Sequence, residues 1–537
     1  MKKSALSFYF LFLCISLLFA NNTSAKSSNT LEIAALDTMK RATTFMTQTV
    51  SYKGGYVWSY LPDFSRRWGE MEAKPTMVWV QPPGTATMGH LYLDAYHITN
   101  DEFYYQAAQQ VASALIKGRH PSGGWNYMFD LAGEDSLKQW YETIGSNGWR
   151  LEEFHHYYGN ATFDDAGTFD ASVFLLRLYL EKKQPEYEKA LNKAIQFVLE
   201  SQYDIGGWPQ RYPPTEAFSV KGQADYSRDI TFNDDVANNN MKFLLYCLQS
   251  LKNDDLIKQL TAAVHKGMDA FVKLKLAPPQ PGWALQYTLD LQPASARSYE
   301  PPSVSVGATV NNLELLLVFY QLTGNKKYLA GIPATLDWLD SLKLAPELIR
   351  DGRTHPRMVE LGTGKTLYLH RRGSNVINGE YFIDYEPEYQ VSHYPSIGRV
   401  NVDKLRQNYQ SVLNSPMDPT GNQTGLIFEN LPSLSRKYVI SRFVASEGAT
   451  DVQTIVQALN RQGFWPSALN NTTNPYIGPA PVDSIANGDY RTTHVGDQYD
   501  TSPYKSKTPT EGITLKTYLK NMSVLLNYLE QQHAQPH

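Results

Sequence analysis

The chain has 537 residues, 42% of them hydrophobic and 19% charged, with a formal net charge of −4 at pH 7. This is enough chain to bury one large hydrophobic core or two modest ones. Because a nucleic-acid binder needs a basic face, the net negative charge argues against nucleic acid as the main partner.

The aromatic content is high, at 12%. Such a composition suits the handling of carbohydrates, because aromatic rings stack on the faces of sugars. It also suits a helical toroid whose inner ends are lined by aromatic residues.

Residues 1–25 are predicted to be a signal peptide. Lys2 and Lys3 precede an apolar run from Ala5 to Ala20, and small residues follow up to Ala25. We expect cleavage after Ala25, with Ala20 as the alternative, and the loss of two lysines changes the charge from −4 to −6. The apolar run is short for a membrane span, so we expect no stable membrane insertion.

The expected mature chain contains one cysteine, Cys247, which cannot form an internal disulfide. Cys14 lies inside the apolar run without a small residue just before it, which argues against a lipid-anchored form. A large exported protein without disulfides fits a bacterial periplasm or exterior, and we expect a monomer.

Glycine-aromatic turns recur along the chain, as GGY at Gly54, GGW at Gly123, GGW at Gly206 and GW at Gly282. Pairs of segments with apolar residues at i, i+3, i+4 and i+7 accompany these turns. The pair that begins at Thr85 matches the pair that begins at Thr168, 83 residues later. Repeated antiparallel helical pairs must bury their faces on their neighbours. We therefore predict a mainly α fold, an α/α toroid (an incomplete barrel of antiparallel helical pairs) with small β and irregular additions.

The predicted toroid covers residues 26–400, and residues 401–537 are predicted to form a helical and irregular extension packed on it. From about Pro346 the sequence changes to short alternating runs with glycine-rich turns, which indicate a small sheet or a long structured loop. In the extension, helices are predicted at Val402–Leu413, Asp451–Leu459 and Ile513–Leu529.

The stretch from Gly206 to Asp235 carries several candidate ligand-binding groups. Trp208 offers a ring for stacking on a sugar, and Asn233 offers an amide beside two adjacent acids. The alternative is a turn between helices, in which Trp208 packs in the core and the acids cap the next helix.

Polar groups recur at equivalent ends of the repeats, where the connecting loops are expected to meet. They are Asp164 and Asp165 in TFDDAGT, Asn233 with Asp234 and Asp235, Arg297 with Tyr299 and Glu300, and the set Arg357, Arg371 and Arg372. Taken singly, such acids are mostly helix caps, and such arginines are mostly solvated or paired. Together, two acid pairs can hold Ca²⁺ by oxygen ligands, and arginine forks can bind carboxylates. A binding site for an acidic sugar polymer would use both kinds of group.

Three blocks, GGWPQRYP, ITFNDD and ARSYEPPS, occur in this order. They resemble the signature blocks of the polysaccharide lyase family ten pectate lyases, and TFDDAGT is similar to the upstream aspartate block of that family. The resemblance covers roughly residues 120–385. It implies an α/α toroid that cleaves polygalacturonate, or a related uronate polymer, by Ca²⁺-assisted β-elimination to 4,5-unsaturated oligosaccharides.

The resemblance also implies roles for individual residues. Arg297 is expected to be the base, with Asp164 as a further catalytic residue. The expected substrate-binding residues are Trp208, Asn233, Tyr299, Glu300, Arg357 and Arg371, and the expected Ca²⁺ ligands are Asp164, Asp165, Asp234 and Asp235. Which of Asp164 and Asp165 points inward stays open. An arginine base needs a dry, cation-rich site and favours alkaline pH, because guanidinium normally keeps its proton.

The chain departs from the family pattern at two places. The insert between GGWPQ and ITFND is longer than usual, and GWALQYTLD keeps Gln286 without the His-Asp pair expected after it. Polygalacturonate specificity is therefore less firmly predicted than the fold.

Other functions stay open at this stage. QYDIGGW has the Q-x-x-x-G-x-W spacing of terpene-cyclase-like toroids, although the export signal and the polar loop face argue against such an enzyme. A glycoside hydrolase on the same toroid would use Asp164 and Asp234 as acid and base without metal. A uronate-binding protein without catalysis is the third alternative.

Overall fold

The structure, a computed structural model, describes residues 30–148, 153–217, 219–220, 223–372, 380–391, 394–415, 425–444, 451–469, 472–473, 475–479 and 510–534. The predicted signal peptide and its cleavage site lie outside these residues. Within them, no helix is both long enough and apolar enough to cross a bilayer.

The helices confirm the four predicted helical pairs and the three helices predicted after residue 400. They are α1 (30–45, continued by a π-helical turn at Met46–Val50), α2 (Thr85–Thr99), α3 (Glu102–Gly118), α4 (Glu134–Glu142), α5 (Gly167–Lys182), α6 (Pro185–Glu200), α7 (Val236–Ser250), α8 (Asp254–Lys273), α9 (Val306–Thr323), α10 (Ile332–Ser341), α11 (Val402–Asn414), α12 (Ile440–Val444), α13 (Val452–Ala458) and α14 (Leu515–Ala534).

The fold is an α/α toroid with an inner and an outer row of helices. Helices α14, α2, α5, α7 and α9 contact one another in this order and form the inner row. Helices α3, α6 and α8 each pack outside the inner helix that precedes them in the chain. The inner helix α5 is buried on nearly all its faces over most of its length, whereas α6 buries one stripe and exposes a charged face. This difference follows from the sequence, because a helix that is apolar along one stripe suits an outer position.

The glycine-aromatic turns pack each helical pair against the next. In three of them the indole nitrogen donates to a carbonyl of the preceding helix, from Trp125 to Leu115, from Trp208 to Val198 and from Trp283 to Phe271, at 2.8–2.9 Å. Gly206 has φ 102°, and a Cβ placed there would lie 1.9 Å from the Lys266 carbonyl oxygen of α8. Only glycine tolerates both this backbone conformation and this close approach.

A fifth turn of this kind occurs at Gly463 and was not found from the sequence. Trp465 donates its indole N–H to the Ile455 carbonyl at 2.9 Å, as in the other copies. Gly463 has φ 98°, and a Cβ there would lie 3.2 Å from the Arg41 carbonyl oxygen of α1. The last helical unit therefore packs on the first helix, so the two ends of the described chain meet in the toroid.

The strands are short and connect the helices. They are β1 (Ser59–Tyr60), β2 (Arg67–Trp68), β3 (Met77–Trp79), β4 (Met128–Asp130), β5 (Ala161–Thr162), β6 (Arg211–Tyr212), β7 (Ser219–Val220), β8 (Gln223–Ala224), β9 (Ile230–Thr231), β10 (Trp283–Ala284), β11 (Gln286–Tyr287), β12 (Pro293–Ala294), β13 (Ser303–Ser305), β14 (His355–Pro356), β15 (Met358–Glu360), β16 (Thr366–Arg372), β17 (Glu380–Asp384), β18 (Ile397–Gly398), β19 (Ser467–Ala468) and β20 (Glu511–Thr514).

A five-stranded sheet has the order β10-β13-β15-β16-β17, and strands β14 and β18 form a separate two-stranded pair. Strands β14 to β18 follow Pro346, where a small sheet was predicted, whereas β10 and β13 join the five-stranded sheet from earlier in the chain. Strand β20 pairs with β1 at the other end of the chain, next to α14. The domain boundaries predicted at residues 25 and 400 stay predictions.

Residues 425–444 cross the toroid at the C-terminal ends of the inner helices. The segment begins at α9, where Ile427 N–H donates to the Leu322 carbonyl at 2.7 Å. It continues to α5, where Arg177 NH2 donates to the Arg436 carbonyl at 2.9 Å. The opposite end of the inner row, at the helix N-termini, carries the acidic turns that the sequence singled out.

Candidate active site

Two kinked turns lead into the inner helices α5 and α7. Asp165 in TFDDAG has φ 50° and Asp234 in TFNDDV has φ 47°, and each is followed by a second left-handed residue at φ 59°. Non-glycine residues in this region are strained, and such strain concentrates at functional sites. The two turns pack against each other. Their matching backbones make Asp165 the counterpart of Asp234, and Asp164 the counterpart of Asn233.

Asp164 is fully buried and lies in a hydrogen-bond cluster. Its Oδ2 accepts hydrogen bonds from the Tyr127 hydroxyl at 2.5 Å, from Arg297 NH2 at 3.1 Å and from Gln210 Nε2 at 3.2 Å. Its Oδ1 has no hydrogen-bond partner among the described residues. Because a buried acceptor without a partner is costly, this oxygen is a candidate contact for a substrate or a water molecule.

Asp165, the next residue, occupies a more exposed position. Its Oδ2 accepts a hydrogen bond from Gln81 Nε2 at 2.8 Å, and the same amide nitrogen lies 3.0 Å from Glu70 Oε2. The sequence left open which acid of the pair faces inward. In the structure Asp164 faces the buried cluster, and Asp165 is partly exposed.

The Arg297 guanidinium lies among three carboxylates, and the side chain is 1% exposed. Its NH2 pairs with Asp164 and Glu153, and its NH1 lies 2.9 and 3.1 Å from the two carboxylate oxygens of Glu300. Burial acts to raise the pKa of Glu300, but Arg297 and the Tyr394 hydroxyl, 2.6 Å away, hold it below its ordinary value. Opposite charges this close favour the protonated guanidinium.

A cleft of about 240 Å³ lies at the second kinked turn, lined by both of its acids, by Arg357 and by Tyr394. Asp235 Oδ1 accepts a hydrogen bond from Asn311 Nδ2 at 2.6 Å. The Arg357 guanidinium lies 4.7 Å from the centre of the Tyr394 ring. Tyr394 therefore connects the cleft to the buried cluster, because its ring contacts Arg357 and its hydroxyl binds Glu300.

Arg371 and Tyr299 lie in a small aromatic cluster and do not line this cleft. Arg371 is 2% exposed, and its NH1 donates to the Tyr381 hydroxyl at 3.2 Å. Tyr299 is 1% exposed, and its ring centre lies 5.5 Å from that of Tyr381. The predicted clamp Arg371 is therefore buried in this structure. The side chain of Arg372 lies outside the described residues.

The prediction that Trp208 stacks on a sugar is wrong. Its side chain is 0% exposed, and its indole N–H is taken by the Val198 carbonyl. A Cβ placed at Gly267 would lie 3.2 Å from the Trp208 ring, which shows how closely α8 packs on it. Because Trp125 and Trp283 make the same bond, the GGW turn is a packing element of the repeat, as the alternative interpretation stated.

Asn233 lines the cleft, and its substrate-binding role stays a prediction. It is 5% exposed, and its backbone N–H donates to the Leu285 carbonyl at 2.9 Å. Its Nδ2 has no partner within the described part of the chain. This amide is therefore a buried donor at the edge of the cleft.

Among the residues to which sequence reasoning assigned no role, four have side chains that contact Asp164, Arg297 or Glu300, namely Tyr127, Glu153, Gln210 and Tyr394. Gln210 lies inside the GGWPQ block, so the block itself was a signal for it. The other three come from separate loops, and nothing in their local sequence marks them.

Arg211, the residue after Gln210, is a second buried guanidinium near the cluster and is 1% exposed. Its centre lies 3.9 Å from the Tyr158 ring and 5.2 Å from the Tyr127 ring. Its NH1 donates to the side-chain carbonyls of Asn126 and Asn160 at 3.2 and 3.3 Å. Because Tyr127 also binds Asp164, Arg211 helps to fix the ring that supports the predicted catalytic acid.

Asp229, at the end of the long insert, gives a testable pH dependence. Burial and the nearby Asp225 raise the pKa of Asp229 to about 7. In an unfolded chain an aspartate ionises at about pH 4, so between these values the folded state holds more protons and stability falls as pH rises. Asp229→Asn is expected to leave the free energy of unfolding unchanged at pH 4. At pH 8 the free energy of unfolding of the variant should exceed that of the wild type by about 1 to 2 kcal/mol, after allowance for solvent screening.

Urea unfolding at the two pH values measures this difference. Asp204→Asn is the matched control, because Asp204 is fully exposed. An equal change at both pH values would show that Asp229 is not the titrating group.

The sequence of residues 138–354 matches the family described as pectic acid lyase. The matched range contains Asp164, Asn233, Arg297 and Glu300, and it ends just before Arg357. No curated protein matches the chain.

Solved structures of several toroidal enzymes are similar to this chain. The family 10 polysaccharide lyase from Cellvibrio cellulosa is 20% identical with a TM-score of 0.41, and the match covers 60% of this chain and 97% of that one. A mutant of that lyase in complex with trigalaturonic acid is 18% identical, with a TM-score of 0.41 and coverages of 61% and 98%. The alpha-1,6-mannanase GH76A of Salegentibacter sp. HEL1_6 is 10% identical, with a TM-score of 0.36 and coverages of 94% and 99%. None of these matches is close enough to assign a residue.

The family match carries the conclusion, since it includes the three blocks from which the resemblance was drawn. Residues 138–354 match the pectic acid lyase family, and the protein is a polysaccharide lyase.

Proposed function

We propose that the protein cleaves polygalacturonate, or a closely related uronate polymer, by β-elimination to 4,5-unsaturated oligosaccharides. The observation that carries this proposal is the buried contact between Asp164 and Arg297 at 3.1 Å, connected through Tyr394 to a cleft with Asp234, Asp235 and Arg357. The pectic acid lyase match over the same residues supports the substrate class.

The reaction needs a base that removes the proton at C5, next to the uronate carboxyl. The bond from C4 to its glycosidic oxygen then breaks, its electron pair leaves with that oxygen, and the C5–H electrons form the C4=C5 double bond. Negative charge builds on the carboxylate during this step, so cations must lie close to it. Arg357, which lines the cleft, would bind this carboxylate by a bidentate pair.

Arg297 is the proposed base, and Asp164 and Glu300 are its positioning residues. Their carboxylates fix the guanidinium from two sides, at 2.9–3.1 Å. The same carboxylates favour the charged form of Arg297, and only the neutral form can accept a proton. The proposed reaction therefore runs best at alkaline pH.

Calcium fits this cleft through oxygen ligands, with the polymer completing its shell. Asp234 and Asp235 line the cleft, and Asp165, the equivalent of Asp234 on the other kinked turn, would add a third carboxylate although it is not one of the lining residues. Within the described residues no group of three or more His, Cys, Asp or Glu could hold a metal on its own. Asp164 is the least suited of the four predicted ligands, because its Oδ2 already accepts three hydrogen bonds and faces a guanidinium. When bound, Ca²⁺ would neutralise the uronate carboxylate and acidify the neighbouring C5 proton.

The proposed partner is an acidic polysaccharide outside the cytoplasm, reached after removal of the signal peptide near Ala25. Export to the periplasm or the exterior, and a monomeric state, remain part of this proposal.

The test is incubation of the mature protein with polygalacturonate, following the ultraviolet absorbance of the unsaturated product. We expect absorbance to rise with Ca²⁺, to stop when EDTA is added and to return when excess Ca²⁺ is restored. Asp234→Asn should need more Ca²⁺ for half-maximal rate, whereas the control Asp403→Asn, which lies outside this cleft, should not.

Two results would contradict the proposal. New reducing ends without a rise in absorbance, unaffected by EDTA, would indicate a hydrolase that uses paired carboxylates. Binding of the polymer without any new ends would indicate a uronate-binding protein.

A further inference from the structure

We propose that the first turn of α9 binds the ionised carboxylate of a uronate unit in the cleft, with the backbone N–H of Gly307 and the side-chain Nδ2 of Asn233 as donors. This inference rests on the proposed function, because it requires a polymer that carries carboxylates. It adds two uncharged donors to the guanidinium of Arg357, and it gives a reason for the glycine at position 307.

The start of α9 lines the cleft with Ser305, Val306, Gly307 and Ala308. Val306 N–H donates to the Arg357 carbonyl at 3.0 Å, and Ala308 N–H donates to Ser305 Oγ at 3.2 Å. The Gly307 N–H between them has no acceptor within the helix, and the described part of the chain supplies no other. One donor of this turn is therefore left for a ligand.

Neither packing nor backbone conformation requires a glycine at position 307. Gly307 is exposed, its φ lies outside the left-handed range, and a Cβ placed there would meet no atom within 4 Å. Glycine in a helix costs stability relative to alanine, so the residue needs another explanation. Asn311, one turn later on the same face of α9, donates to Asp235 Oδ1 at 2.6 Å, and Asp235 also lines the cleft. This face of α9 is therefore turned towards the cleft, where the absent side chain leaves room for a ligand beside the N–H.

Asn233 supplies a second donor from a different element. The kinked turn that carries it contacts α9. Asn233 is 5% exposed and lines the same cleft, and its Nδ2 has no partner within the described residues. Because a buried donor without a partner is costly, this amide marks a place where an acceptor comes from outside the chain.

The charges of the cleft also favour this role for α9. Asp234 and Asp235 line the cleft, so a uronate that enters it needs positive groups to offset them. The aligned peptide dipoles give a helix N-terminus about half a positive charge, and α9, with 18 residues, has no acid in its own first turn. Helix N-termini bind carboxylates and phosphates for this reason. The start of α9 and the neighbouring Arg357 therefore form the positive side of the cleft.

The test is isothermal titration with trigalacturonate at pH 6, below the alkaline range in which the proposed elimination is fast. Gly307→Pro removes the N–H in the first turn of a helix, where proline is tolerated. It should raise Kd about tenfold, the usual effect of losing a hydrogen bond to a charged group. Gly307→Ala is the matched control, because it keeps the N–H and adds only a methyl group, so it should raise Kd less than proline does. A rise for proline no larger than that for alanine would overturn Gly307 as a donor.

The methyl ester of trigalacturonate tests whether the ligand group is an ionised carboxylate. Because the ester lacks the charge that strengthens the hydrogen bond, Gly307→Pro should raise its Kd much less than that of the acid. Equal fold-changes for the acid and the ester would overturn the assignment to a carboxylate.

Asn233→Leu keeps the inference testable if proline at position 307 prevents folding. Leucine has a similar size and removes a donor that is unpaired in the free protein, so Tm should not fall. Kd for trigalacturonate should rise about fivefold, because the hydrogen bond to the carboxylate is lost. A Kd equal to that of the wild type would overturn the part assigned to Asn233.

The failure of this inference can be distinguished from failure of the proposed function, because titration measures binding whether or not product forms. If the wild type forms no unsaturated product but Gly307→Pro and Asn233→Leu weaken binding of the acid, the carboxylate site stands and the elimination does not. If product forms and both variants bind the acid like the wild type, only the carboxylate site is overturned.

Discussion

Arg297→Ala is expected to lower kcat for unsaturated product by about a thousandfold, within the range reported for removal of a catalytic base or of a charge-stabilising donor. The physical reason is that Arg297 is the buried cation at the centre of the candidate site, held by Asp164, Glu300 and Glu153. Initial rates on polygalacturonate with saturating Ca²⁺ measure the effect.

The control must separate lost chemistry from lost folding, because alanine leaves three buried carboxylates without their cation. Arg297→Lys keeps a positive charge and should preserve the fold, as judged by circular dichroism and urea unfolding. Its rate should still be strongly reduced, because lysine cannot reproduce the geometry of the guanidinium. A folded lysine variant with an undiminished rate would exclude Arg297 as the base.

The pH profile of the wild type tests the same assignment independently. The carboxylates favour protonated Arg297, so the fraction able to accept a proton grows as pH rises, and the rate should increase into the alkaline range. A rate that is constant above neutral pH and falls only in acid would assign the base to a carboxylate. Asp164 would then be the first candidate, because its Oδ1 has no partner among the described residues.

The toroid could be predicted from the sequence because each helical pair carries a local pattern of apolar residues, and this pattern repeats along the chain. The helical pairs at Thr85 and Thr168 share one apolar spacing, and the two threonines make the same contact in the structure. Thr85 binds the backbone of Tyr56, and Thr168 binds the backbone of Trp125. The copy at Gly463 escaped detection because its sequence, GFW, lacks the second glycine and follows a long irregular region.

The candidate site was only partly predictable, for a physical reason. Asp164 and Arg297 lie in blocks with a recognisable pattern, and the structure brings them together across 133 residues. The side chains that surround them come from loops whose sequence shows no period. Trp208 was misassigned because an aromatic residue after two glycines looks the same whether it faces a sugar or the core. Only its burial distinguishes the two.

Asp94→Asn is expected to lower the free energy of unfolding by about 3 to 5 kcal/mol, the usual loss when one partner of a buried ion pair is removed. Asp94, on α2, is fully buried, and its carboxylate accepts the backbone N–H groups of Tyr438, Val439 and Ile440 at 2.8–3.1 Å. It also pairs with Arg177 of α5 at 2.6 Å. Asparagine keeps the shape but not the charge, so Arg177 loses its counter-ion and an amide NH₂ group faces backbone donors.

Urea unfolding measures the loss, and Glu102→Gln is the matched control. Glu102 is exposed and pairs with Lys182 at 2.7 Å, so its removal should change stability by less than about 1 kcal/mol. The double variant Asp94→Asn/Arg177→Met should lose less free energy of unfolding than the sum of the losses of the two single variants, because it removes both charges. Asp94 lies near the C-terminal end of α2, whereas Asp164 precedes the N-terminal end of α5, so kcat should be unchanged while the variant is folded. A loss as small as that of the control would mean that apolar contacts alone hold residues 425–444 against the toroid.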